Sequence, residues 1–333
     1  MTNVKMEYDI ITFGSATHDI FLSSRKFQEI ESDKFITKKG LCVPLGSKIF
    51  MDEVFFAMGG CGTNTAATFG RQGFKTAYLG AIGQDYTGEL VIKVLQKNKV
   101  SLDLLQETQE YPTALSIILS LPGSDRSILE KEGACHFLTK EDIPFDKIET
   151  SWFYLASLSG ESAKVFEPLI NFACEKGIKL AVNPGKRQLG EDLELLRGLL
   201  DKIDILIVNQ EEAARLTQID FRREADIFQK LDEWVQGIVV MSKGPQGVTV
   251  SDGQYLYSAG IPKSDLIDRT GAGDAFGSGF VAGYLAKDDI SYAIQLATAN
   301  ATGCVQQFGA VNGLLKKGQW GLWEKVKVEK KKI

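Results

Sequence analysis

Short apolar runs alternate with helical patterns through the second half of the sequence, and that alternation leaves few folds open. Trp152–Ala156, Lys179–Val182, Ile205–Val208 and Ile238–Met241 read as strands. Between them, Ser162–Lys176, Leu193–Leu200 and segments starting at Glu211 and Arg223 carry helical spacing. Strands this apolar keep no face for water, so the pattern implies a mostly parallel sheet covered by helices on both faces, an α/β architecture. Tyr8–Phe13 and Thr76–Ile82 add strands at the N-terminal side, with helices over Thr63–Arg71 and Thr87–Lys97. Val248–Val250 and Tyr255–Tyr257 resemble a hairpin, and two helices, Ala272–Leu285 and Ser291–Val305, close the pattern.

Two stretches do not fit. Residues 21–56 and 111–136 are extended and irregular, with Thr113–Leu121 and Ser127–Leu129 as hairpin partners across Pro122–Asp125. They are expected to pair into a small separate β-sheet, a lid hinged near Gly59-Gly60 and Tyr111-Pro112. The remaining segments, 1–20, 57–110 and 137–333, then form the large α/β domain. Exposed apolar strands in such a lid invite a second copy, so a homodimer is expected.

The chain has 333 residues, 44% of them hydrophobic, enough for one large domain with an appendage. A net charge of −5 argues against nucleic-acid binding, which needs a basic face. The five cysteines (Cys42, Cys61, Cys135, Cys174 and Cys304) are widely spaced, and the two histidines, His18 and His136, are not arranged for zinc. Reduced, buried thiols in a cytoplasmic protein are expected. Met1–Asp9 is polar and lacks the apolar core of a signal peptide, and no apolar run reaches the ~18 residues of a membrane span. The lysine-rich stretch Lys325–Lys332 reads as a frayed, solvated tail.

The strongest chemical signal is Asp268-Arg269-Thr270-Gly271-Ala272-Gly273-Asp274, led in by a short strand at Leu266–Ile267 and followed by a helix of small residues. The first N–H groups of a helix have no internal partner, and the dipole is positive there. Gly271 and Gly273 let a phosphate approach those amides. Asp274 either caps the helix or takes a proton from an attacking hydroxyl during phosphoryl transfer. A Walker loop is absent, and Gly271-x-Gly273-x-x-x-Gly277 misses the dinucleotide fingerprint by one residue.

Further motifs occur in order along the chain: Gly59-Gly60-Cys61-Gly62-Thr63-Asn64, Gly83-Gln84-Asp85-Tyr86-Thr87-Gly88, Asn209-Gln210-Glu211-Glu212 and Ser242-Lys243-Gly244-Pro245-Gln246-Gly247. Together with Asp268–Asp274 they resemble the PfkB family of ribokinase-like carbohydrate kinases, over about residues 10 to 312. Asp85 and Gly88 read as structural, with Asp85 capping the helix that follows.

The resemblance implies a ribokinase-like fold and an ATP-dependent kinase. It implies Asp274 as general base and Gly271, Ala272 and Gly273 as amide donors to the transferring phosphoryl group. Asn209 and Glu212 would hold Mg2+ through water. Asn183 would lie near the triphosphate, Ser242, Gly244 and Gly247 would line the nucleotide, and Asn300 would approach the adenine. Asp19, Gly59, Gly60 and Asn64 would bind the acceptor, a small sugar or nucleoside. Some relatives bind a monovalent cation, for which Asp268 and the 304–313 segment are candidate positions. Arg269 stands where the family usually has threonine, and either adds charge near the phosphates or points to solvent. Cys61 stands where several members carry lysine, and no basic cluster offers a second phosphate site, which favours an unphosphorylated acceptor. Asp125, Arg126, Ser127 and His136 fall in the second lid stretch, with their direction open. A non-catalytic sensor on the same fold is the alternative outside the enzymes.

Overall fold

The computed structural model describes residues 7–35, 37–121 and 126–333. The turn expected at Pro122–Asp125 lies outside these residues. The N-terminal half contributes β1 (Glu7–Phe13), β2 (Thr17–Ser23), β3 (Gln28–Glu31), β4 (Lys39–Cys42), β5 (Glu53–Gly59), β6 (Thr76–Leu79) and β7 (Ala81–Gly83). Next come β8 (Val100–Ser101), β9 (Gln106–Thr108), β10 (Ala114–Ser120) and β11 (Arg126–Lys131). The rest are β12 (Glu149–Leu155), β13 (Lys179–Val182), β14 (Ile205–Asn209), β15 (Ile238–Ser242), β16 (Val248–Ser251), β17 (Tyr255–Ala259) and β18 (Glu329–Lys332). The helices are α1 (Cys61–Arg71), α2 (Tyr86–Lys97), α3 (Phe166–Lys176), α4 (Leu193–Arg197), α5 (Gln210–Thr217), α6 (Glu224–Trp234), α7 (Ala272–Lys287) and α8 (Ile290–Val305).

The main sheet has ten strands in the order β18-β17-β16-β15-β14-β13-β12-β1-β6-β8. From β15 to β8 its strands run parallel; the last three, from β16 to β18, are antiparallel. Alternate side chains go to opposite faces, as the pleat dictates. Ile11, Phe13, Phe153, Leu155, Leu206 and Val208 pack against α3, α5 and α6. Ile10, Tyr154, Ala181, Ile205, Ile207 and Val240 pack against α1, α7 and α8. Both faces are dry, which is why these strands read as unbroken apolar runs.

A second sheet has four strands in the order β11-β10-β2-β5. It takes in Thr17–Ser23 and Glu53–Gly59, so it begins before the expected boundary at 21 and runs past 56. The register pairs Ser116 of β10 with Asp19 of β2 on one side and with Glu130 of β11 on the other.

Three local expectations are corrected. Leu266–Ile267 is not a strand; both residues are about half exposed in an irregular segment, tied back by the Ile267 N–H to the Val305 carbonyl. The lysine-rich end is not frayed: β18 pairs with β17, and the Lys330 ammonium sits 3.9 Å from the Tyr255 ring centroid. Backbone pairing and a cation over an aromatic ring outweigh the preference of lysine for water. Of the five free cysteines only Cys135 and Cys304 are buried; Cys174, on the outer side of α3, is exposed.

Candidate active site

The site is assembled where the carboxyl ends of the parallel strands meet the N-terminus of α7. Asp268 fixes the approach to that helix. Its buried carboxylate accepts from the Thr270 N–H at 2.9 Å, the Thr270 hydroxyl at 2.8 Å and the Gly309 N–H at 3.2 Å. Gly271 then caps α7 with φ +76°, where a Cβ would stand 2.3 Å from the Ala310 Cβ. Only glycine suits both the left-handed backbone and that contact.

Among the helix-start amides, the Ala272 N–H donates to the Arg269 carbonyl at 3.2 Å. No acceptor for the Gly271, Gly273 or Asp274 N–H occurs among the described residues. The space over Gly273 is open. Unpaired amides at the positive end of a sixteen-residue helix, next to open space, are the arrangement that attracts an anion.

Asp274 follows in the first turn of α7. The Asn64 Nδ2 donates to its Oδ2 at 2.9 Å. Burial pushes the Asp274 carboxyl up to about 6, and the Asn64 donor works against that rise. Asn64 itself is buried on α1, and its Oδ1 has no partner among the described residues. Gly60 precedes α1 and its carbonyl accepts from the Asn64 N–H. Asp19, on β2, lies beside Gly59: a Cβ there would stand 2.0 Å from Asp19 Oδ2. The Thr17 hydroxyl donates to Asp19 Oδ1 at 2.9 Å. Asp19 is only 6% exposed, and burial pushes its carboxyl up to about 6. Contacts therefore run continuously from Asp19 through Gly59, Gly60 and Asn64 to Asp274. The fold brings this predicted set together.

A cavity of about 660 Å³ opens beside the start of α7. Ala272 and Gly273 line it together with Ser242, Gly244 and Gly247. Sequence reasoning missed its apolar wall of Ile261, Pro262 and Leu266, and also Lys263. Arg269 lines the cavity and makes no ion pair among the described residues. From α8 the cavity receives Thr298, Ala301, Thr302 and Val305, spaced as one helix face.

Asn300 is not on that face, which corrects its expected place at the adenine. It is fully buried: its Nδ2 donates to the Ala275 carbonyl at 2.8 Å, and its Oδ1 accepts from the Leu315 N–H at 2.9 Å. Asn183, at the end of β13, donates to the Ile207 carbonyl at 2.9 Å and lies outside the cavity lining. Asn209 and Glu212 form a reciprocal cap on α5, with N–H to side-chain oxygen distances of 2.9 and 2.8 Å. Burial raises the proton affinity of Glu212. Its Oε1 stays unused by the cap.

Asp268, a candidate position for a monovalent cation, is already engaged by protein donors. Its oxygens accept from Thr270 and Gly309, and Arg126 of β11 approaches Oδ1 at 3.4 Å and the Thr270 hydroxyl at 3.2 Å. A guanidinium already supplies the positive charge there.

The pattern of the pfkB family carbohydrate kinases matches residues 45–317. The chain belongs to that family. It is a kinase, and the helix-start glycines, the neighbouring aspartate and the cavity are features of this kinase. A ribokinase of Lactococcus lactis subsp. lactis is 27% identical over 286 residues, covering 84% of this chain and 90% of that protein. A cytidine kinase of Thermococcus kodakarensis is 25% identical over 273 residues, covering 80% and 95% respectively. Arabidopsis thaliana ribokinase complexed with ribose and ATP shares the fold with a TM-score of 0.74 at 22% identity, covering 94% of this chain and 97% of that one. No helix among the described residues of the kinase is long and apolar enough to cross a membrane.

Proposed function

We propose that this kinase transfers the γ-phosphoryl group of ATP to a hydroxyl of a small sugar, with Asp274 as general base. The observation that carries this reading is the placement of Asp274: a carboxylate aimed by Asn64, one turn into a helix whose unpaired amides face a nucleotide-sized cavity. ATP would lie in that cavity with its phosphates towards Gly271, Ala272 and Gly273. Asp19 and Asn64 would hold the acceptor so that the attacked phosphorus and its hydroxyl are in line. Asp274 would accept the hydroxyl proton as the O–P bond forms, and the amides would stabilise the transferring group. The lid sheet would cover the acceptor and exclude water.

Asn209 and Glu212 suit a magnesium ion held through its own waters. The carboxylate has a free oxygen, its burial disfavours an uncompensated charge, and no cluster of three metal-ligating side chains occurs among the described residues to hold a bare ion. Such an ion would neutralise charge on the donor phosphates.

A homodimer through the lid completes the proposal. On the lid face away from the site, Val54, Phe56 and Leu129 are at least half exposed, beside Ile20, Leu22, Ile117 and Leu119. A second copy of that face is the partner such a surface fits. Light scattering on the purified chain reads it directly: a strict monomer at micromolar concentration ends this part of the proposal.

The test of the reaction is a coupled ADP-release assay over ribose, fructose, keto-deoxy sugar acids and nucleosides, run on wild type and on Asp274→Asn. Acceptor-dependent ADP release that disappears in the variant supports the reading. A nucleoside as best acceptor changes the acceptor and keeps the mechanism; no release with any acceptor favours a sensor.

A further inference from the structure

Three neighbouring lid strands place Asp19, Ser116 and Glu130 in one cross-strand row on a single face of the sheet. Arg126 shares that face of β11, four residues from Glu130, and its guanidinium reaches Asp268 and Thr270 at the head of α7. The face carrying Glu130 is therefore the face turned towards the transfer site. Glu130 is exposed, and it takes no hydrogen bond or ion pair among the described residues.

We propose that Glu130 is an acceptor-selecting residue which, with Asp19, restricts this kinase to uncharged polyhydroxyl acceptors and rejects sugars already bearing a phosphate or carboxylate. The proposal rests on the phosphoryl-transfer reading and deepens it by naming the substrate class.

The charge around the acceptor space decides the sign. Asp19, Glu130, Asp268 and Asp274 border it. Among the described residues the ion pair made by these carboxylates is that of Asp268 with Arg126, whose guanidinium also donates to Thr270. Asp19 registers this crowding: after burial, the charges of Asp268 and Glu130 push its proton affinity in the same direction. A hydroxyl can donate to a carboxylate and is favoured by it. A phosphate or carboxylate on the acceptor would have to sit among like charges without a free cation, which costs several-fold to many-fold in affinity. The exposure of Glu130 leaves it free to turn towards a bound sugar. It is not part of the proton-transfer machinery.

The experiment pairs neutral and anionic acceptors: ribose with ribose 1-phosphate, fructose with fructose 6-phosphate, glucose with gluconate. Initial rates are measured on wild type, Glu130→Gln and Glu130→Lys, and calorimetric binding on the Asp274→Asn chain. The expected result is that a neutral member has the highest kcat/KM, and that Glu130→Lys narrows the neutral-to-anionic ratio by about tenfold or more, with Glu130→Gln between. An anionic sugar as best acceptor, a ratio that neither substitution moves, or no binding of any neutral sugar overturns the proposal while the kinase can still turn over. If no acceptor yields ADP yet neutral sugars bind and anionic ones do not, the transfer reading fails and the selection by charge stands.

Discussion

Asn64 and Asp274 are 210 positions apart in sequence and are joined by a hydrogen bond of 2.9 Å. The donor comes from the second turn of α1 and the acceptor from the first turn of α7, so the contact locks two helices at the point where the reaction is proposed. It also moderates the proton affinity of the proposed base. Burial raises the Asp274 carboxyl to about 6 and the Asn64 N–H holds it from rising further.

The first prediction follows from that balance. Asp274 must be ionised to accept a proton, so kcat/KM for the acceptor should fall tenfold per pH unit below about pH 6. Asp274→Asn should lower kcat by about 10²–10⁴ and leave the KM for ATP near its wild-type value. Asn64→Ala removes the donor that favours the anion, so the acidic limb should move to higher pH. A limb that stays put or moves down in Asn64→Ala would show that Asp274 is not the titrating base.

A second prediction concerns stability. Burial raises the carboxyls of both Asp19 and Asp274 to about 6, well above the ordinary aspartate value of about 4 that they have in the unfolded chain. Between those pH values the folded chain holds protons that the unfolded chain has released, so stability is full below about 4 and is lost as pH rises through about 6. At pH 8 the charge on Asp19 is a cost. Asp19→Asn should then raise stability by about 1–3 kcal/mol while weakening acceptor binding. The gain should shrink towards zero near pH 4. Thermal melts of variant and wild type at pH 8 and pH 4 check this, and an equal gain at both values would remove the charge from the explanation.

Much of the frame could be read in the residues because local and global preferences agree there. The unbroken apolar runs of β12 to β15 admit no solvated face, and the sheet buries both. Asp85 caps α2 as its position suggests: it accepts from the Gly88 N–H at 2.7 Å and also ties in Thr113 at 2.8 Å, which anchors β10. The Gly271–Asp274 segment was legible because helix-end physics is local. Asn300 was not, because the rotation of α8 about its own axis is set by how α7 and α8 pack, and a single polar residue in a small-residue helix does not reveal that angle. The reach of Arg126 to Asp268 was hidden for the same reason: it spans 142 positions and depends on how the four-stranded sheet sits beside α7.

Asn300 supplies a third prediction. Its amide joins the Ala275 carbonyl of α7, the Thr68 hydroxyl of α1 and the Leu315 N–H. Asn300→Ala leaves buried polar groups without partners and opens a gap between three segments. The cost should be roughly 2–4 kcal/mol, read as a lower denaturant midpoint. The KM for ATP, measured well below the melting temperature, should change less than twofold. A large rise in that KM with unchanged stability would return Asn300 to the nucleotide.

The last prediction isolates a single close contact. Gly59 has no left-handed backbone that would demand glycine; what it lacks is room, because a Cβ would stand 2.0 Å from Asp19 Oδ2 and 2.4 Å from its Cγ. Gly59→Ala must therefore displace the Asp19 carboxylate from its place beside Thr17, and with it the group proposed to hold the acceptor. The KM for the acceptor should rise by about tenfold or more, as misplaced site groups do, and the KM for ATP should hold, since the nucleotide cavity is lined elsewhere. The two residues act as one unit, so Gly59→Ala should add little once Asp19→Asn is in place, giving strong non-additivity in a double-mutant cycle. Additive effects would mean that Gly59 acts through the lid backbone, and that the contact with Asp19 is incidental to binding.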